Sequence, residues 1–193
     1  EGGMVNTDDH ELYEMLLMLR SHGWAKDLSA ESSKALMDEH GIDDFHSPFT
    51  FFIPGYNLRS TDLQAFLGIR QVQKADWAAS QRHKNHCLYA EKLEGIVEFQ
   101  RWGDSVPVSI SFGALAENTE HRKEIVTRLV ENGIETRIFS AGNLGRHPFW
   151  TDLYEEFRDE VSDKIHARGF FLPNYPELTE EEINFICDVV KGK

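Results

Sequence analysis

The chain has 193 residues, 40% of them hydrophobic and 27% charged, enough for one ordinary domain, or a large and a small lobe, around a real core. Its 33 acidic and 20 basic side chains leave a net charge of −13, which argues against neutralising nucleic-acid phosphates or docking on an anionic membrane. Two cysteines far apart, Cys87 and Cys187, make no disulfide framework and read as reduced thiols of a cytoplasmic protein. No apolar run reaches the ~20 residues of a membrane span.

The first residues, Glu1-Gly2-Gly3 running into Met4-Val5, read as the middle of a fold, with Met4 to Thr7 ending a strand. Asp8 and Glu11 have the spacing of a capping box. They predict a helix from about Asp9 to Ser21, with Leu12, Met15, Leu16 and Leu19 on one face and Gly23 as its stop. Residues 25–50 have weak periodicity and many charges, and read as a long, partly helical excursion. Phe49, Phe51, Phe52 and Ile53 then lead into the turn signal Pro54-Gly55. Thr61 and Gln64 form a second capping box, opening a helix with Leu63, Phe66 and Leu67 as its apolar stripe. Helical character is expected to about Leu93, weakened at Gly68.

Farther along, Val106, Val108, Ile110 and Phe112 alternate as in a strand. Ile125, Leu129 and Val130 mark a helix ending near Asn132-Gly133. Ile134 to Phe139 reads as a second strand, Asp152 to Ala167 as a helix and Gly169 to Leu172 as a third strand. Thr179 with Glu182 caps a last helix facing inward through Ile183, Ile186 and Val190. From residue 105 onward this order predicts a compact α/β lobe of about three strands covered by helices.

Several strings carry a resemblance. They are Glu1-Gly2-Gly3-Met4, Thr7-Asp8-Asp9, Leu19-Arg20-Ser21-His22-Gly23, the specific run Gly55-Tyr56-Asn57-Leu58-Arg59-Ser60-Thr61-Asp62-Leu63-Gln64-Ala65, and Gly68-Ile69-Arg70-Gln71-Val72. Together they resemble the DegT/StrS family of sugar aminotransferases. The resemblance runs along most of the chain and is loosest at residues 25–48 and 76–105. It implies the C-terminal part of an α/β enzyme of the aspartate-aminotransferase type (fold type I), with the end of the large domain followed by the small domain. Residues 1–60 would be a remnant of the large, cofactor-binding domain, residues 61–104 a long connecting helix region and residues 105–193 the small α/β domain.

The family binds pyridoxal 5′-phosphate in a homodimer with a site shared across subunits, and acts on nucleotide-linked keto sugars with an amino-acid amino donor, here expected to be glutamate. Its cofactor-stacking residue, pyridine-pairing aspartate and Schiff-base lysine would all precede Glu1, so the resemblance leads us to expect no anchor and no activity in this chain alone. Gly133-Ile134-Glu135-Thr136-Arg137, Gly142-Asn143-Leu144, His147-Pro148-Phe149 and Ser21-His22-Gly23-Trp24 look like the branch of GDP-4-keto-6-deoxymannose 3-dehydratases. There histidine replaces the lysine and the cofactor is pyridoxamine 5′-phosphate. The implied role lies in deoxy- or amino-sugar biosynthesis of the O-antigen type. The alternative is a non-catalytic or split-enzyme module that needs a partner chain.

The residues themselves suggest a site. Asn57 carries an amide suited to a phosphate oxygen, presented by the Pro54-Gly55 turn, or else it stabilises an Asx turn. The matching asparagine of the family reaches the cofactor phosphate of the partner subunit. Arg59, two residues on, shares its direction if the segment is extended and suits a phosphate or carboxylate, or a surface ion pair. His22 is a possible catalytic and substrate-binding group, or a cation at a helix end. Trp24 suits stacking on a base or sugar, or simple packing.

Arg137 and Asn143 flank the Ile138 to Gly142 turn and suit capture of a donor carboxylate or other substrate group. His147, held by Pro148, is a substrate contact or a loop histidine. Gly2 and Gly3 allow close backbone approach near a cofactor, or a simple turn. His83, His86 and Cys87 are the one metal-like cluster, and they lack the fourth ligand of a structural zinc site. No metal is expected.

Overall fold

The computed structural model describes residues 3–193. Glu1 and Gly2 of the opening motif lie outside the described residues. The chain divides into two compact units, Glu1–Gln71 and Val72–Lys193.

In the first unit, helix α1 spans His10–Arg20, α2 spans Ala30–His40 and α3 spans Asp62–Val72. The cap of α1 is Asp9, one residue after the expected Asp8. Its carboxylate accepts from the Leu12 N–H at 3.0 Å, and the Asp9 N–H in turn donates to Thr7 Oγ1 at 3.1 Å. Met4 to Thr7 forms no strand, because those residues lead into the cap with no partner backbone beside them among the described residues. Gly23 stops α1 as expected, donating to the Met18 carbonyl at 2.8 Å with φ of 88°. Helix α2 resolves the excursion at 25–50. Ser29 caps it and Gly41 ends it in the left-handed conformation.

The Thr61/Gln64 capping box opens α3, with Gln64 Oε1 accepting from the Thr61 N–H at 2.8 Å. None of the three helices has a buried residue. The stripes read from the sequence, Leu12 and Met15 on α1 and Leu63 and Phe66 on α3, are exposed. An apolar helix face gains stability only from a partner surface, and the unit supplies none for these faces.

The second unit opens with α4 (Ala75–Leu93). The expected single helix from Thr61 to Leu93 is broken at Gln73-Lys74, not at Gly68, which stays helical. Strands β1 (Glu98–Phe99) and β2 (Ser111–Leu115) follow, then α5 (Thr119–Glu131), β3 (Arg137–Ile138), α6 (Pro148–Thr151), α7 (Glu160–Arg168), β4 (Gly169–Pro173) and α8 (Glu180–Lys191). The sheet has four strands in the order β1-β2-β4-β3, every neighbouring pair antiparallel.

Phe112 pairs with Leu172 and Ala114 with Phe170, so these four side chains share one face. They are buried together with Tyr89, Ala90 and Leu93 of α4, Ile125 and Leu129 of α5, and Ile183, Ile186 and Val190 of α8. Three helices over one face of the sheet form the core, so the expected lobe of about three strands covered by helices is found as a four-stranded antiparallel sheet, with β1 the strand not read from the sequence.

Three element boundaries differ from expectation. The strand read at Val106 to Phe112 starts at Ser111 and runs on to Leu115, while Val106 and Ile110 stay exposed. Its register is set by pairing with β4 and by Gly113, where a Cβ would collide with the Phe139 ring. The strand read at Ile134 to Phe139 shortens to Arg137–Ile138. Ser140 and Ala141 beyond it are left-handed, at φ of 46° and 70°, so the chain turns out of the sheet. The helix read at Asp152 to Ala167 starts only at Glu160, because residues 152–159 are turn and irregular chain after the short α6, and Asp159 makes a fresh cap on the Ser162 N–H at 2.7 Å.

Candidate functional site

In the first unit two stretches of backbone cross. The His22 N–H donates to the Tyr56 carbonyl at 2.7 Å, Tyr56 N–H to Leu19 at 2.7 Å, Leu58 N–H to Arg20 at 2.9 Å and Phe52 N–H to Gly23 at 2.9 Å. Ser21 pairs with Asn57 and Trp24 with Phe51 as isolated antiparallel bridges. Gly23 and Gly55 make the crossing possible. A Cβ on Gly55 would overlap the Gly23 amide, and one on Gly23 would overlap the Ile53 carbonyl. His22, beside them, is held at φ of 63°, a left-handed conformation that non-glycine residues seldom adopt.

This clamp presents the expected residues. Asn57 is exposed, and its amide makes no hydrogen bond among the described residues, so it does not close an Asx turn. Arg59 is also exposed and forms no ion pair among the described residues. Its guanidinium carbon lies 5.9 Å from the Trp24 ring centroid. By contrast Arg20, on the other strand of the crossing, is paired with Asp27 at 2.8 Å.

Trp24 is engaged on several sides. Phe51 stacks on it at 5.5 Å, Phe49 meets it edge-on at 6.1 Å and the His22 ring is tilted against it at 5.0 Å. Its indole Nε1 is buried with no hydrogen-bond partner among the described residues. Gly3 is exposed, with nothing near its Cα for an added Cβ to meet.

The remaining residues belong to the second unit. Arg137 stands exposed on the edge strand β3 and pairs with Glu135 at 2.9 Å. An exposed pair of this kind is worth little and exchanges readily for a ligand carboxylate. Glu135 is the partner our sequence reading missed, although acid and base two apart on an extended strand share a side. Glu135, Thr136 and Arg137 line an open cleft of about 590 Å³ together with Asn174, Tyr175 and Phe185.

Asn143 has a different surrounding from the one expected for a substrate contact. It is 4% exposed, and its Nδ2 donates to the Phe157 carbonyl and to Asp163 Oδ1, both at 3.0 Å. Its Oδ1 accepts from the Gly145 N–H at 2.9 Å, and its own N–H donates to His166 Nδ1 at 3.1 Å. Both amide hydrogens are therefore committed to the loop that Asn143 holds together. The bond from Asn143, followed by Arg158 and Arg146, keeps the Asp163 carboxyl below the usual range.

His147 donates from Nε2 to the Ala141 carbonyl at 2.9 Å, leaving Nδ1 as its free ring position. On α4, His86 bonds Ser109 Oγ at 2.9 Å, while Cys87 Sγ lies 3.8 Å from the His83 ring nitrogens. Among the described residues no three His, Cys, Asp or Glu side chains are placed to hold a metal ion.

The structure thus brings His22, Trp24, Asn57 and Arg59 together on one crossing. Arg137, Asn143 and His147 stand within the second unit, where only Arg137 lines the cleft.

Comparison with known proteins identifies the family and the fold. The chain is 30% identical over 197 residues to the GDP-4-keto-6-deoxy-D-mannose 3-dehydratase of Yersinia pseudotuberculosis, covering 99% of this chain and 50% of that protein. It is 26% identical to the GDP-perosamine synthase of Escherichia coli O157:H7, covering 98% and 46%. The chain thus spans about half the length of the curated relatives it matches. Among solved structures, the E. coli GDP-4-keto-6-deoxy-D-mannose 3-dehydratase with bound hydrated PLP superposes with a TM-score of 0.79 at 24% identity, over 95% of this chain and 48% of that one. The Helicobacter pylori aminotransferase PseC superposes at 0.76 and 19% identity, over 96% and 47%. The fold is therefore that of part of these enzymes, and with a match to the family model over residues 1–191 the chain belongs to the DegT/DnrJ/EryC1/StrS aminotransferase family.

Proposed function

We propose that this segment serves a vitamin-B6-dependent enzyme that removes the C3 hydroxyl of a nucleotide-linked 4-keto-6-deoxy sugar. In this reading it binds pyridoxamine 5′-phosphate, or pyridoxal 5′-phosphate, and works as part of a homodimer in O-antigen-type deoxy-sugar synthesis. The single observation that carries it is the clamped, exposed pair Asn57 and Arg59. One is an amide with no bond of its own and the other a cation with no acidic partner among the described residues. A phosphate monoester needs donors and positive charge on a rigid backbone, and this pair offers both. The 3-dehydratases among the relatives support the reaction type.

When bound, the cofactor supplies the electron sink for bond breaking at the sugar. The residues of this chain do the rest of what is proposed here. Asn57 Nδ2 donates to a phosphate oxygen across the dimer and Arg59 neutralises its charge. His22, fixed by the Tyr56 carbonyl, offers a ring nitrogen to a sugar hydroxyl. Arg137 exchanges Glu135 for the carboxylate of an amino donor such as glutamate, and His147 Nδ1 is left to contact substrate. Residues 1–60 act as the end of the large domain and residues 105–193 as the small one. The portion of the relatives that this chain does not span carries the other cofactor contacts.

A second reading is an aminotransferase on the same kind of sugar, favoured by the GDP-perosamine synthases among the relatives. The test is an absorbance titration of the chain with pyridoxamine 5′-phosphate, followed by mass analysis of GDP-4-keto-6-deoxymannose turned over by the natural full-length protein. Net loss of one oxygen, the C3 hydroxyl replaced by hydrogen with the pyridoxamine amine as reductant, establishes the dehydratase, and exchange of the keto oxygen for an amine the aminotransferase. If the cofactor binds neither the chain nor the longer form, the enzyme reading is lost and a non-catalytic module takes its place.

A further inference from the structure

We infer that Trp24 is a positioning residue that holds the Arg59 guanidinium in place for an anionic ligand and does not itself stack on substrate; this rests on the anion-binding role proposed for Asn57 and Arg59. Arg59 is a long side chain on an exposed segment with no carboxylate bound to it among the described residues. Its one described tether is the indole, 5.9 Å from guanidinium carbon to ring centroid. The face of an indole attracts a cation through its quadrupole and keeps the N–H donors free, which an ion pair would not. Trp24 therefore orders the side chain without neutralising it.

The indole is itself held firmly. Phe51 stacks on it with planes 25° apart, Phe49 meets it edge-on at 85° and the His22 ring packs at 5.0 Å. Trp24 and Phe51 are also joined by a backbone bridge, and the Trp24 N–H donates to the Ser21 carbonyl at 3.0 Å. With Phe51, Phe49 and the guanidinium around it, the ring has little surface left for a base or sugar. Its Nε1 makes no hydrogen bond among the described residues, so the role belongs to the ring and not to the N–H. A smaller aromatic ring should therefore serve, and an aliphatic side chain should not.

The experiment uses the chain with pyridoxamine 5′-phosphate as probe, in a double-mutant cycle of Trp24→Leu and Arg59→Met, with Trp24→Phe as the conservative variant. Arg59→Met is expected to weaken the probe by roughly 10-fold or more. Trp24→Leu should weaken it by roughly 3- to 5-fold, and Trp24→Phe should restore most of that loss. The double variant should be no weaker than Arg59→Met alone, because the indole acts only through the guanidinium. In parallel, the Arg59 Nε–H resonance should move in Trp24→Leu and stay near its position in Trp24→Phe.

Full additivity of the two substitutions, or an Arg59 resonance that ignores Trp24→Leu, overturns the positioning role. If Arg59→Met leaves the probe affinity unchanged, it is the phosphate role of Arg59 that falls. The resonance then still decides whether the indole holds the guanidinium.

Discussion

Gly55 meets Gly23 backbone to backbone, so closely that a Cβ on Gly55 would overlap the Gly23 amide nitrogen and come within 2.5 Å of the His22 carbonyl carbon. Gly23 is at φ of 88° and has the Ile53 carbonyl against the same side. Alanine at either position forces the two strands of the crossing apart. We expect Gly55→Ala to lower the stability of the chain in urea by about 2 kcal/mol or more, since backbone has no room to yield. The same variant should weaken pyridoxamine 5′-phosphate binding, because Asn57 and Arg59 lose their fixed direction. A variant with unchanged urea midpoint would show that the crossing does not exist in solution.

Asn57→Ala separates binding from folding. Its amide makes no bond among the described residues, so its removal should leave the thermal midpoint within experimental scatter. Cofactor affinity should fall by about 1–3 kcal/mol for a lost charge-assisted contact. A titration that gives the wild-type affinity would remove the phosphate role.

Asn143→Ala should do the reverse. The substitution leaves the Gly145 N–H and the Phe157 carbonyl without their side-chain partners in a buried loop. We expect a loss of about 1–3 kcal/mol in urea unfolding, and an Asp163 carboxyl that titrates at higher pH by NMR once the hydrogen bond from Asn143 is gone. An Asp163 titration unmoved by the substitution would sink this account of the loop.

Acid should destabilise the second unit before its carboxylates titrate. Burial, then Arg146 and His147, lower the His166 imidazole below its ordinary value, and burial with His83 does the same for His86. His166 Nδ1 accepts from the Asn143 N–H and must be unprotonated to do so. A histidine lowered on folding binds fewer protons folded than unfolded. Stability therefore rises with pH from the lowered value up to about 6.5 and is level above it. The thermal midpoint should fall between pH 7 and pH 5.5, and His166→Gln should remove part of that slope. A midpoint constant over this interval would contradict the lowered imidazoles.

Much of this protein was legible in local signals. The Thr179/Glu182 box opens α8 with both of its bonds present, and β4 starts at the expected Gly169. The Gly55 to Ala65 string pointed to the Asn57 and Arg59 pair, and Thr61/Gln64 to the start of α3. The cap readings succeeded because a cap is fixed by residues three or four apart, which the sequence states directly.

What depended on distant partners was decided only by the tertiary structure. Val106, Val108 and Ile110 alternate like a strand, yet pairing goes to Ser111–Leu115, because β4 and the Phe139 ring over Gly113 select that register. A pattern of period two names no partner. Nor does an asparagine in a loop reveal whether its amide faces solvent or is taken up inside. Asn57 and Asn143 looked alike as donors, and only the surrounding Phe157, Asp163 and Gly145 made the second a structural bracket. Trp24 was readable as an aromatic near a helix end. That its ring carries the Arg59 guanidinium followed from a crossing of segments about thirty residues apart, which no local spacing encodes.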